Sequence, residues 1–461
     1  MTSLRRLTLV IAALCLSLSS GSALASTPNQ TITPNTPIEH FLVLMQENHT
    51  FDNYFGTYPG ADGIPPGTCM PVDPFDSTNT ECVEPYSIGD SPIDDLDHSL
   101  STFKLQYNDG KMNGFVYALN QRNQDGASAM GYYDDSVVSY HWNIADEYVL
   151  FDRFFSSDHG GSFANHMYWM SGTPGKKGST SAGDYDDLPT IFDRLEEQGI
   201  SWKFYVQNYD PQINYRTLSE YSGNRTSQAI WVPILHIDRF IDDPNLSSHI
   251  VDMSEYFTDL ENDTLPAVSY MVPSGASEHP PGSLRSGQKF VKSLIQALMR
   301  SEAWDSSAFL YTYDDWGGWY DHVPPPQVDE NGYGMRVPAL LVSAYARRGY
   351  IDSTELDFTS VPKFIEENWN LEPLADRDAN ANSFMNAFDF SQPPRQAFFI
   401  PFNRVVKDQI TEPRRIVIYV AYGGALIFAG LMFLGVAYGS RDRKQSNNPM
   451  DPLPQADEAL Q

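Results

Sequence analysis

A three-layer α/β/α sandwich with a mostly parallel central sheet is the fold class that this sequence predicts, and three observations lead to it. Phe41 to Met45 in "HFLVLMQENHTF" are five apolar residues in a row, the pattern of a strand buried on both faces. The same pattern recurs in "SAFLYTYDD" and "VPALLVSAY". Helix-like stretches fall between these runs, and strands that alternate with helices imply a parallel sheet covered by helices.

Taken from the amino terminus, residues 1–25 place Arg5 and Arg6 before the apolar run "LTLVIAALCLSLSS" and the small-residue pattern Ala23-Leu24-Ala25, the layout of a cleaved secretory signal. Leu14 before Cys15 does not suit a lipoprotein box, so Cys15 is expected to leave with the signal. Cys69 and Cys82 remain. Across a short loop in an exported chain they are most simply one disulfide; a metal pair is the weaker alternative, with no His or further Cys at zinc-ligand spacing. Within the exported domain, residues 26–395, "LPTIFDRLEEQGI" predicts a helix from Asp187 as cap to Gly199 as stop, and "GQKFVKSLIQALMRSEAW" predicts another.

Residues 396–415 read as a stalk whose prolines oppose a continuous helix. Ile416 to Tyr438 then give roughly 23 residues without a charge, long enough to cross a ~30 Å hydrocarbon core. This is the expected transmembrane helix, followed by a polar cytoplasmic tail, 439–461. The expected localisation is therefore the cell membrane, single-pass, with the catalytic domain on the extracellular side.

The formal charge of -29 over 461 residues argues against nucleic acid as a partner, because phosphate backbones are held by Lys and Arg. An acidic surface also repels phosphate esters. A phosphate site here needs local positive charge, which a metal supplies.

Two acidic motifs follow predicted strands: Glu47-Asn48 in "MQENHTFDNYFG" and Asp314-Asp315 in "TYDDWGGWYDHVPPP". Both fall at carboxyl ends of strands, where open α/β sheets bind ligands. Three carboxylates and a carboxamide make an oxygen-rich set suited to Mg, Ca or Mn. Between them, "SSDHGGSFANHMYWMSG" places Ser162 after two glycines and before a helical segment, where free backbone N–H groups suit phosphate oxygens. Each motif also has a plainer use. Taken alone, Glu47-Asn48 reads more often as a strand-end turn, Asn48-His49-Thr50 is a formal glycosylation sequon, and Ser162 reads more often as a helix cap.

Taken together, "ENHTFDNYFG", "GGSFANHMYWMSGT", "SEHPPGS" and "YDDWGGWYDHVPPP" resemble, in order, the motifs of the bacterial phosphoesterase family that contains phospholipases C and acid phosphatases. The likeness runs from about Ile38 to about Phe390. It implies an alkaline-phosphatase-like fold and hydrolysis of phosphate esters, with phospholipid or phosphomonoester as substrate, through a hydroxyl nucleophile on a metal. By position it implies Glu47, Asn48, Asp314 and Asp315 as metal ligands and Ser162 as nucleophile and ligand. His279 is then the general acid, with His98 sharing that role or binding a phosphate oxygen. Asn165, His166 and His322 are expected to touch the substrate, His322 alternatively orienting the Asp pair.

The chain departs from the family pattern at several positions. Ser162 replaces the commoner Thr and Asp315 the commoner Glu, both keeping the chemistry. Ala164 and His166 stand where Pro and Arg are usual, and Trp316 and Phe358 where His is usual. Loss of a guanidinium removes a bidentate phosphate clamp. Two functions follow: a membrane-anchored phosphoesterase of shifted substrate range, or a catalytically silent ectodomain used for binding.

Overall fold

The computed structural model describes residues 33–90, 93–175, 183–185, 188–275 and 277–404, with scattered residues between 422 and 434. Its central sheet has eight strands: β1 (His40–Gln46), β2 (Val149–Phe151), β3 (Trp202–Val206), β4 (Ile250–Asp252), β5 (Val268–Val272), β6 (Ser307–Tyr313), β7 (Ala339–Ser343) and β8 (Tyr350–Asp352). They lie in the order β8-β2-β7-β6-β1-β5-β3-β4. The unbroken apolar runs belong to central strands, and β5, β6 and β7 are buried at every residue.

Every neighbouring pair is parallel except the two that β7 makes, with β6 and with β2. The run "VPALLVSAY" is thus a strand of the sheet, but antiparallel to its neighbours. The cause lies in its connection. Residues 314–338 contain no helix, so the chain stays at the carboxyl edge of β6 and re-enters the sheet from there.

The helices that frame the site are α1 (Phe51–Phe55), α2 (Ser162–Ser171), α3 (Ile191–Gln198), α4 (Ser254–Glu261) and α5 (Leu284–Leu298). Alternation along β3 shows that both faces are covered: Phe204 lies 6.1 Å from Phe192 of α3, while the next residue, Tyr205, lies 5.7 Å from Tyr256 of α4. Gly199 ends α3 at φ 66°, as its sequence predicts. Its cap differs. Thr190, not Asp187, is the N-cap, in a reciprocal capping box with Asp193, and Asp187 itself lies outside the described residues. The helix expected from "GQKFVKSLIQALMRSEAW" starts earlier and ends earlier, with Ser283 capping the Ser286 N–H. It buries Phe290, Val291, Leu294, Ile295 and Leu298.

Cys69 and Cys82 are disulfide-bonded, their Cα atoms 5.4 Å apart, beside the antiparallel pair Met70 and Val83. The signal segment, 1–25, lies outside the described residues, as does most of 416–438. Among the described residues no helix is long and apolar enough to cross a membrane. The first part of the expected stalk, 396–404, packs on the domain instead of leaving it. Ile400 is buried, Asn143 Nδ2 donates to the carbonyls of Pro401 and Asn403, and Arg404 pairs with Asp135 and Asp146.

A buried charge cluster ties the ends of β1 and β6 to β7. Arg336, fully buried, donates from Nε to Asp321 Oδ1 (2.9 Å), from Nη2 to Asp52 Oδ1 (3.1 Å) and from Nη1 to the carbonyls of Asp62 and Asp152 (2.8 Å each). His322 belongs to this cluster. Its Nδ1 lies 2.7 Å from Asp52 Oδ2 and its Nε2 3.3 Å from Asp62 Oδ1, so it neither orients the Asp314-Asp315 pair nor faces a substrate there. Arg336→Met is expected to lower stability by about 3–5 kcal/mol, because two buried carboxylates lose their cation. Chemical unfolding followed by circular dichroism checks this, and an unchanged midpoint would show the clamp to be dispensable.

Candidate active site

Because β1 and β6 are parallel neighbours with Gln46 opposite Tyr313, the residues after each strand leave the sheet side by side. The ladder runs one step further, Asp314 N–H donating to Gln46 O at 3.0 Å. Asp314 Oδ1 then accepts from the backbone N–H of Asn48 (3.0 Å) and of Asp315 (2.7 Å), which joins the two acidic motifs directly. Asn48 sits at φ 65°, a conformation asparagine tolerates. Gly317, at φ 57°, lets the second motif close over it: a Cβ there would fall 2.4 Å from Asn48 O.

Glu47, Asn48, Asp314 and Asp315 are fully buried, and among the described residues no Lys or Arg pairs with them. Burial, reinforced by Asp314 and then Asp315, pushes the Glu47 carboxyl well above the usual carboxylate range. Burial and Asp314 push Asp315 up to about 7, with His98 opposing. A group of acids that repel one another in a dry site calls for a cation.

Ser162 is the first residue of α2, and Gly161, not Ser162, is the cap. Its Oγ lies 3.4 Å from Glu47 Oε2 and 3.5 Å from Asp315 Oδ2. A Cβ on Gly161 would meet nothing within 4 Å, so the residue before the hydroxyl borders open space. One turn on, His166 is fully buried with Nε2 3.1 Å from Glu47 Oε1, and burial holds its pKa down at about 4. It faces the carboxylates, not a bound phosphate as its position had suggested. Asn165 is likewise spent elsewhere: its Oδ1 accepts from the N–H of Ser157 and Asp158, shaping the loop that delivers Ser162.

His98 gives Nδ1–H to Leu96 O (2.7 Å), so its Nε2 accepts from Asn48 Nδ2 at 3.2 Å. That contact fixes the amide and leaves Asn48 Oδ1 to others. Asn48 Oδ1 and Asp314 Oδ2 are both buried oxygens without a hydrogen-bond partner. Two orphaned acceptors among mutually repelling acids are compatible with a divalent cation of the oxygen-preferring kind, Mg, Ca or Mn. Burial alone would lower the pKa of His98, yet Asp315 and Asp95 outweigh it and hold it above its usual value. The His279 ring lies 6.0 Å from that of His98, and its Nδ1 meets Pro280 O at 2.6 Å. The structure thus brings eight of the expected residues together and leaves out Asn165 and His322. The buried side chain of Asn48 also excludes the sequon reading in the folded chain.

Sequence reasoning missed Glu278. Its buried carboxylate accepts from the phenols of Tyr54 and Tyr313 at 2.6 Å each and lies 3.3 Å from His141 Nε2, so it anchors the loop that carries His279. The signal was present in "SEHPP", where Glu278 directly precedes His279.

A buried acidic cluster at the carboxyl edge of a parallel sheet, with a serine hydroxyl and two histidines beside it, has the make-up of a hydrolytic site. The Phosphoesterase family matches residues 38–372, and the chain belongs to it. The chain is 28% identical over 420 residues to phospholipase C B of Mycobacterium tuberculosis, covering 78% of this chain and 79% of that protein. It is 30% identical over 428 residues to non-specific phospholipase C6 of Arabidopsis thaliana, covering 82% and 77%. Among solved structures, a protein of the alkaline phosphatase superfamily from Vibrio parahaemolyticus shows a distant likeness: TM-score 0.34, 12% identity, 73% of this chain and 69% of that one. The chain is therefore a phosphoric ester hydrolase.

Both carboxyl shifts at the site are upward, so without a cation the folded state holds protons that the unfolded chain releases at about pH 4. Stability in chelator is thus fully present below that pH and is lost as pH rises through about 7. Melting temperatures in chelator should fall from pH ~5 to ~8, with a divalent cation restoring them. Asp314→Asn, with one repelling charge removed, should melt higher than wild type in chelator and respond less to the cation. Melting curves indifferent to both cation and pH would contradict the site.

Proposed function

We propose that the chain is a metal-dependent phosphoesterase of the phospholipase C or acid phosphatase type, acting through a phosphoserine intermediate on Ser162. The observation that carries this reading is the convergence of Ser162 Oγ on Glu47 Oε2 and Asp315 Oδ2, at 3.4 and 3.5 Å, beside the orphaned Asn48 Oδ1 and Asp314 Oδ2. Glu47, Asn48, Asp314, Asp315 and Ser162 would hold the cation. When bound, it supplies the positive charge that favours the alkoxide of a neighbouring hydroxyl and shields an anionic phosphate from three carboxylates.

Ser162 Oγ, its proton given up to water, attacks phosphorus, and the bond from phosphorus to the leaving oxygen breaks. That oxygen takes a proton from His279, whose Nδ1–H is held by Pro280 O, so that Nε2 is the exchanging atom. The neutral His279 then accepts a proton from the water that attacks the phosphoserine, and Ser162 recovers one from solvent as the Oγ–P bond breaks. The backbone N–H groups of the first turn of α2 face the phosphoryl oxygens. His98 holds the Asn48 amide, its Nε2 accepting from Nδ2 so that Oδ1 is left facing the other oxygens of the site.

The names of the relatives favour a phospholipid headgroup ester over a soluble phosphomonoester as substrate. Export by residues 1–25 and anchoring by 416–438, with the catalytic domain outside, would bring the site to a lipid surface. The rival reading, a catalytically silent binding ectodomain, is separated by assay. Full-length protein in detergent should release alcohol from phosphatidylcholine and from a generic aryl phosphate in the presence of a divalent cation. Ser162→Ala should lower kcat about 10³-fold or more while keeping the cation-dependent rise in melting temperature. Equal inactivity of both proteins across cations and pH would end the enzymatic reading.

A further inference from the structure

We propose that His166 completes the metal's ligand set through Nε2, making the site a mixed nitrogen–oxygen one that selects a first-row transition ion such as Mn²⁺ or Zn²⁺ over Mg²⁺ and Ca²⁺. This rests on the metal-dependent reading above and adds a ligand to it. His166 follows Ser162 by four residues, so both project from the same face of α2. Together they bracket one carboxylate, Ser162 Oγ at 3.4 Å from Glu47 Oε2 and His166 Nε2 at 3.1 Å from Glu47 Oε1. From the same nitrogen, Asp314 Oδ2, an oxygen without a donor, is 4.0 Å away.

These separations are those of donors around a single ion. With bonds of about 2.0–2.2 Å, adjacent ligand atoms lie about 3 Å apart and opposite ones about 4.2 Å. The values 3.1, 3.4, 3.5 and 4.0 Å fall in that interval. Glu47, Asn48, Asp314, Asp315 and Ser162 offer oxygens and His166 one nitrogen, six side chains in all, Glu47 turning Oε2 to Ser162 and Oε1 to His166. A neutral imidazole adds a bond without adding to three negative charges, and it suits Zn and its neighbours, whereas Ca and Mg prefer oxygen alone.

The ring is free to serve in this way. Nδ1 of His166 is buried and has no hydrogen-bond partner, so the tautomer is set on the Nε2 side alone, where coordination would place the hydrogen on Nδ1. The competing use of the 3.1 Å contact is a hydrogen bond from Nε2–H to Glu47 Oε1, with His166 outside the coordination shell.

Pulsed electron paramagnetic resonance on the Mn²⁺-loaded full-length protein in detergent separates the two. A directly bound imidazole imposes ¹⁴N modulation on the manganese signal. The expected result is modulation in wild type that persists in His98→Gln and disappears in His166→Gln. Calorimetric titration should also show the Mn²⁺-over-Mg²⁺ preference of His166→Gln reduced by at least about tenfold. Bound manganese without ¹⁴N modulation in wild type, or modulation unchanged in His166→Gln, overturns the assignment and leaves the metal-dependent reading intact. No stoichiometric manganese in wild type overturns both. The wild-type spectrum decides the point even if the variant does not fold.

Discussion

The parallel pairing of β1 with β6, in the register that sets Gln46 opposite Tyr313, is the constraint on which the site depends. Two acidic dipeptides separated by 266 residues become neighbours because each directly follows its strand, and Asp314 Oδ1 accepts the Asn48 N–H across the gap. Side chains of a strand alternate, so a slip of one residue would turn every one of these groups to the opposite face. The register is held by burial of both strands and, beyond their ends, by the Arg336 cluster joining α1, the loop after β6 and the approach to β7.

Charge compensation separates structural acids from the candidate catalytic ones. Asp52 and Asp321 are buried against Arg336, Asp357 against Arg377, and Glu278 accepts from two phenols with His141 alongside. Glu47, Asp314 and Asp315 are buried just as deeply, and among the described residues no Lys or Arg pairs with them, only histidines standing near as cationic groups. The cost of burying charge is met in the first group by cationic or hydrogen-bonding partners, while in the second it raises the Glu47 and Asp315 carboxyls, the arrangement on which the proposed cation site rests. The same contrast explains why His322, which follows Asp321 in the string "YDHVPPP", is not brought to the acidic pairs. Its ring serves the compensated cluster.

Much of this was legible in the sequence because it is local. Unbroken apolar runs marked β1, β6 and β7, a glycine marked the end of α3, and the cysteine spacing marked the disulfide. Ordered motifs identified the acidic pairs and Ser162. What escaped depends on tertiary placement. The antiparallel direction of β7 follows from a helix-free connection, and Thr190 displaces Asp187 as cap because its hydroxyl meets the Asp193 N–H. Asn165, His166 and His322 differ in what they touch, which spacing alone does not specify. Glu278 was hidden because an isolated glutamate reads as solvated until three aromatic partners are seen around it.

The central claim, that register builds one cation site from two distant motifs, is tested most directly by anomalous diffraction from a crystal of the protein grown with Mn²⁺. A single strong anomalous peak is expected among Glu47, Asn48, Asp314, Asp315 and Ser162. A peak only at Asp95, His98 and His279, where another three donor atoms approach one another, or only at Asp52, Asp321 and His322, would contradict it.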